Sequence, residues 1–127
     1  MIWNCIAVGC GGALGSVCRY LLGFLPVPHE GFPFVTLGVN ILGAFLIGLV
    51  IAFAGKHGGA DPRWILFLQV GFCGGFTTFS TFSLESYTLI KAGQKGTAVL
   101  YIALSVGLCL LGIWLGHLAA RRVFPLS

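Results

Sequence analysis

Gly71 to Glu85 read Gly-Phe-Cys-Gly-Gly-Phe-Thr-Thr-Phe-Ser-Thr-Phe-Ser-Leu-Glu inside an otherwise apolar stretch. A lipid-facing helix has no use for such a run. The pair Gly74-Gly75 weakens a helix, and the hydroxyls of Thr77, Thr78, Ser80, Thr81 and Ser83 follow at once. A helix broken at the glycines frees backbone carbonyls and amides, which are tolerated at membrane depth only where something satisfies them. The C-terminal end of a half-helix offers carbonyls to a cation, and an N-terminal end favours an anion. The chemistry the segment suggests is therefore ion binding. Its structural alternative is a kink repaired by Thr and Ser hydroxyls bonding back to carbonyls. Phe76, Phe79 and Phe82 recur every three residues. Their ring edges carry partial positive charge and would assist a small anion on a narrow path, although the same stripe also serves packing.

Other polar residues fall within apolar stretches. Thr36 and Asn40 are four apart and share a helix face. The Asn40 amide offers two donors, enough to hold a bare anion without a permanent charge, or to make an interhelical hydrogen bond. Tyr101, Ser105 and Cys109 follow at steps of four and make one weakly polar line. Arg19 either draws anions toward an entrance or snorkels to headgroups. Glu85 marks a water-filled vestibule or pairs with a basic residue. His29 and His57 fall in loops, His117 is near a span end, and none has a partner at ligand spacing. The five cysteines, Cys5, Cys10, Cys18, Cys73 and Cys109, lack CxxC or Cys/His spacing and read as small packing residues. There is no phosphate loop, carboxylate pair or nucleophile elbow, so an enzyme is not expected.

The elements that must position these residues are membrane helices. Of 127 residues, 57% are hydrophobic and 8% charged, and the mean hydropathy is +1.01. A soluble domain carries about 25% charged residues. A span needs about 20 apolar residues, and four stretches qualify: Ile2 to Phe24, Phe34 to Ala54, Arg63 to Ile90 and Thr97 to Ala120. They are too long, and alternate too little, for barrel strands. The first is taken as a retained helix because no Lys or Arg precedes it. A loop with Pro26, Pro28 and Pro33 follows it. Polar turns lie at Lys56, His57, Gly58, Gly59, Asp61 and Pro62, and at Lys91, Gly93, Gln94 and Lys95. The third stretch, about 28 residues, would be roughly 42 Å long, which puts the glycine pair near the bilayer midplane. GxxxG pairs at Gly11/Gly15 and Gly112/Gly116 mark close helix packing.

The net charge of +4 comes from scattered residues with no basic run, so nucleic-acid binding has no support. Lys56, Arg63, Arg121 and Arg122 fall on the side of the termini, against Lys91 and Lys95, with Arg19, opposite. Termini inside are slightly favoured. So small a bias suits insertion in both orientations as well as in one.

The string Gly-Gly-Phe-Thr-Thr-Phe-Ser-Thr-Phe at 74–82 resembles the signature of the Fluc/CrcB fluoride channels, and the resemblance covers nearly the whole chain. The stretch ending at Arg19-Tyr20 and the one holding Thr36, Asn40 and Gly43 agree with it. The resemblance implies an all-α membrane protein in a single domain, its third helix broken near the midplane, forming an antiparallel, dual-topology homodimer in the bacterial inner membrane. It implies a structural sodium ion at the dimer centre, held by the backbone carbonyls of Gly74 and Thr77. It implies fluoride pores lined by Asn40, Phe79, Phe82, Tyr101 and Ser105, with Arg19, Thr36, Thr78, Ser80, Thr81 and Cys109 as further pore or vestibule candidates. Cys109 departs from the family pattern, because a hydroxyl would continue the Tyr101–Ser105 track more naturally. The implied function is passive fluoride export, which lowers cytoplasmic fluoride. Rival readings are a small dual-topology multidrug exporter, which needs an intramembrane carboxylate that the first stretch lacks, and a non-transporting assembly subunit.

Overall fold

All four apolar stretches are helical in the computed structural model, which describes residues 1–56 and 61–124. The first two are α1 (Ile2–Leu22) and α2 (Phe34–Lys56). The third span, Pro62–Lys91, is composite. It begins with α3 (Pro62–Ile65), passes into a π-helical segment (Leu66–Cys73), tightens again as α4 (Gly74–Phe76), and resumes beyond an interruption as α5 (Phe79–Lys91). The fourth is α6 (Lys95–Val123). Each of the four spans is long and apolar enough to cross a bilayer.

His57, Gly58 and Gly59 of the expected polar turn lie outside the described residues. At the far side of that turn the Asp61 carboxylate accepts from the Arg63 backbone N–H at 2.9 Å and pairs with its guanidinium at 2.8 Å. It caps α3 just before Pro62, which needs no partner for its nitrogen. Those hydrogen bonds from Arg63 hold the Asp61 carboxyl below the usual carboxylate range.

Large apolar side chains cover the outside: Trp3, Leu14, Val17, Leu110 and Trp114 are all exposed. Water would penalise such a surface, and hydrocarbon does not. Between helices, packing rests on close approach. α2 runs against α6, while α1 runs against the π-helical segment and α4. A methyl built on Gly116 would strike the Phe45 carbonyl, and one on Gly15 the Phe72 carbonyl. The GxxxG pairs of the first and last spans are thus seams within the chain, where van der Waals contact replaces the missing hydrophobic drive. A small core of Leu37, Leu89, Ala98 and Tyr101 joins α2, α5 and α6.

The interruption differs in place from the sequence expectation. Gly74 is helical (φ −63°, ψ −38°). The chain extends only at Thr77 (φ −82°, ψ 158°) and Thr78 (φ −150°, ψ 117°). Glycine lowers helix propensity, but at Gly75 its missing side chain serves contact: a Cβ there would meet the Gly12 carbonyl of α1. Packing thus favours Gly75 within the helix, and the break falls where side chains can replace the backbone ladder.

Candidate ion site at the break in the third span

In an unbroken helix the Thr78 N–H would bond the Gly74 carbonyl, and the Thr81 N–H the Thr77 carbonyl. Both donors turn elsewhere. The Thr78 N–H donates to Asn40 Oδ1 at 2.8 Å, and the Thr81 N–H donates to Thr78 Oγ1 at 3.1 Å. Thr78 is therefore the N-cap of α5. Its hydroxyl also bonds Thr81 Oγ1 at 3.1 Å and lies 3.3 Å from Ser80 Oγ. Asn40 Nδ2 donates back to the Thr78 carbonyl at 3.1 Å. One neutral amide from α2 thus serves both backbone groups of Thr78, each of which would cost about 1–3 kcal/mol if buried unpaired.

The first half of the span ends in redirected carbonyls. Cys73 O accepts from both the N–H and the Oγ1 of Thr77, at 2.9 and 2.8 Å. Gly75 O accepts from Arg19 Nε at 3.2 Å, and Ser16 Oγ lies 3.5 Å away. The carbonyls of Gly74 and Thr77 have lost their helical donors. They are hard neutral oxygens at the negative end of a half-helix, the donor set that suits a hard cation such as sodium. Gly74 is on the exposed surface of the chain. Among the described residues no cluster of His, Cys, Asp or Glu could hold a metal instead.

Beside the break a groove of about 380 Å³ runs between α2, α5 and α6, lined in part by Asn40, Thr78, Phe79, Phe82, Ser105 and Cys109. No lining residue carries a formal charge. Ser105 is 7% exposed and its hydroxyl has no hydrogen-bond partner among the described residues. A buried hydroxyl without a partner is an exception to the rule that buried polar groups are hydrogen-bonded. The Phe79 and Phe82 rings are 5.5 Å apart and tilted by 42°, and Phe79 is 80% exposed.

A second groove, about 440 Å³, opens between the loop before α2 and the α5–α6 turn, with Thr36 and Glu85 in its wall. Glu85 is held by two hydroxyls: Thr36 Oγ1 donates to Oε1, and Tyr101 Oη to Oε2, both at 2.7 Å. Tyr101 is fully buried, with the Phe82 ring 5.2 Å and the Phe32 ring 5.6 Å from its own.

Asn40, Phe79, Phe82, Ser105, Thr78 and Cys109 therefore meet in one groove, with Ser80 and Thr81 in the capping cluster at its edge. Thr36 and Asn40, expected to share a helix face, serve different partners. Tyr101 stands between the two grooves, against both Phe82 and Glu85. The phenylalanine stripe is cut by the break: Phe76 is 3% exposed and stacks on Phe72 at 5.6 Å, away from the other two. Arg19 caps a carbonyl, a role not foreseen for it. Ser16 and the hydroxyl pair on Glu85 were not foreseen either. Their only sequence signal is a polar residue within an apolar stretch, which names no partner.

The family described as "CrcB-like protein, Camphor Resistance (CrcB)" matches residues 6–117. The chain is 45% identical over 120 residues to a protein of Geobacter sulfurreducens named "Fluoride-specific ion channel FluC", covering 93% of this chain and 97% of the relative. It is 46% identical over 120 residues to one of Rhizobium meliloti with the same name, covering 93% and 96%. A third, from Acidobacterium capsulatum, is 42% identical over 118 residues, covering 91% and 94%. With four bilayer-length helices and matches that span almost its full length, this chain is a multi-pass membrane protein and belongs to the CrcB family.

Proposed function

We propose that this chain is a fluoride channel subunit that works as an antiparallel, dual-topology homodimer and exports fluoride passively. The observation that carries the reading is the uncharged groove in which the Asn40 amide, the unpartnered Ser105 hydroxyl and the rings of Phe79 and Phe82 meet. Fluoride is small and strongly hydrated. A path must replace its water with donors, yet must not trap it. Neutral hydroxyls, an amide with one N–H to spare and ring edges meet both demands, whereas a buried Lys or Arg would bind too tightly. Relatives named as fluoride-specific ion channels support this reading.

The dimer and its sodium belong to the same proposal. The carbonyls of Gly74 and Thr77 have lost their helical donors, Gly74 is exposed, and so is the Phe79 ring. A second, inverted copy against this face would cover the ring and bring two broken spans together. A sodium ion between them would supply positive potential close to the groove. Arg19 and Ser16 hold the Gly75 carbonyl, which leaves the Gly74 and Thr77 oxygens to face it.

A multidrug exporter is less well supported. It needs a carboxylate free to exchange protons for cations, and Glu85 is engaged by Thr36 and Tyr101. Purified protein in liposomes, read with a fluoride electrode, tests the proposal. A channel releases fluoride quickly without a proton gradient. Proton-coupled cation flux would favour the exporter, and no flux of either kind would leave an assembly subunit.

A further inference from the structure

We infer that the end of the fold where α2 and α6 finish holds one anionic phospholipid, its phosphate against Lys56, Arg121 and Arg122 and an acyl chain in the crevice beside them. The inference needs only the membrane-spanning fold and stands apart from the channel reading.

A crevice of about 260 Å³ opens between α2, the start of the third span and α6, lined in part by Leu49, Phe53, Trp64, Leu68, Ala120 and Phe124. Its wall carries no charged residue. The Phe53 and Phe124 rings meet edge to face at 6.0 Å. Trp64 is exposed, and a tryptophan at the end of a span marks the headgroup level. The crevice therefore runs from that level into hydrocarbon.

Lys56 follows Phe53 by three residues and shares its face of α2, at the headgroup end of the crevice. Its Nζ donates to the Arg121 carbonyl at 3.4 Å, in the last turn of α6, where carbonyls lack helical donors. That bond uses one of the three N–H groups of the ammonium. Arg121 and Arg122 are exposed in the same turn.

Charge decides what this end of the crevice binds. The chain has three acidic side chains, and all are engaged or placed elsewhere. Asp61 pairs with Arg63, Glu85 is held by Thr36 and Tyr101, and Glu30 walls the second groove, before the opposite end of α2. The C-terminal ends of α2 and α6 each carry roughly half a negative charge. Against them stand the full positive charges of Lys56, Arg121 and Arg122, so a surplus of about two remains for an outside anion.

The occupant must bring apolar chain as well as charge. A chain entering the crevice leaves one hydrocarbon for another, so it gains fit rather than hydrophobic drive. The headgroup supplies the selection. Guanidinium and ammonium groups take a phosphate through charge-assisted hydrogen bonds, whereas a phosphocholine headgroup brings its own cation to the same place. A second apolar groove, about 410 Å³, lies along the seam of α2 and α6 and has no charged residue in its wall. It serves as the comparison.

Native mass spectrometry of the full-length protein in detergent, titrated with phosphatidylglycerol or with phosphatidylcholine of the same chains, reads the affinity for each. Wild type should bind phosphatidylglycerol more than about tenfold tighter, equal to about 1.4 kcal/mol, and the preference should shrink in high salt. The triple variant K56Q/R121Q/R122Q should bind both lipids alike. Leu68→Trp fills the crevice from its exposed wall. With the charges intact, it should weaken phosphatidylglycerol binding by roughly fivefold or more. Leu111→Trp, in the comparison groove, should not. Glycerol phosphate, a headgroup without chains, should not displace the lipid. Equal affinities in wild type, a preference kept by the triple variant, or displacement by glycerol phosphate would each overturn the inference. So would Leu68→Trp binding like wild type, because the basic residues would then attract headgroups without a seat for the chain.

Discussion

Asn40 performs two tasks with one side chain. Its oxygen and one N–H hold both backbone groups of Thr78, and its second N–H remains for the groove. Asn40→Ala leaves the Thr78 N–H unpaired, and should destabilise the protein by about 1–3 kcal/mol, read as a lower midpoint of thermal aggregation in detergent. Asn40→Asp keeps the acceptor but places negative charge in the path. Liposome efflux should then fall well below wild type, and unchanged flux would remove Asn40 from the pathway. Phe82 is a graded test. Aromatic edge contacts are worth about 0.5–1.5 kcal/mol, so Phe82→Ile should slow fluoride release by roughly two- to tenfold. An equal rate would mean that the ring only packs on Tyr101. Arg19, which caps the Gly75 carbonyl, should matter more for stability than for attraction of ions. Arg19→Ala should cost about 1.5–3 kcal/mol, as a charged hydrogen bond does, and the loss should persist in high salt.

The third span combines two helical geometries, α and π, with one interruption. Adjacent glycines carry different burdens. Gly75 lets the span lie against the Gly12 carbonyl, while a methyl on Gly74 would meet nothing within the subunit. Gly75→Ala should therefore overpack the seam and lower the yield of folded protein, at about 1–3 kcal/mol. Gly74→Ala should leave the isolated fold intact and improve its helix propensity by up to about 1 kcal/mol. If Gly74 faces a second copy, the same substitution should weaken the dimer on size-exclusion chromatography. Equal behaviour of the two variants would contradict the seam.

At the level of the whole molecule, the proposed inverted dimer would cover the exposed Phe79 ring and complete the pathway that the uncharged groove begins. The charge bias between the two ends of the chain's spans is small. Reporters of cytoplasmic and periplasmic location fused to the C-terminus should both give signal in cells, within about an order of magnitude of each other. A single-sided signal would rule out the inverted pair, and with it the proposed place for sodium.

Much of this was written in the sequence. Four long apolar stretches with few charges admit only membrane helices, because an unpaired backbone cannot cross hydrocarbon. Gly-Gly-Phe-Thr-Thr-Phe-Ser-Thr-Phe carried the family, and Asn40, Ser105 and Phe82 could be named from polarity and spacing. What needed the tertiary structure was partnership. Propensity put the break at Gly74-Gly75, but Gly75 packs on α1 and the chain stays helical there, and Asn40, 38 residues away in the chain, serves the break at Thr77-Thr78. Only the fold could give Glu85 to Thr36 and Tyr101, Arg19 to Gly75, and leave Ser105 without a partner. Sequence spacing fixes which residues share a face of one helix; which groups satisfy one another across helices is decided when the helices pack.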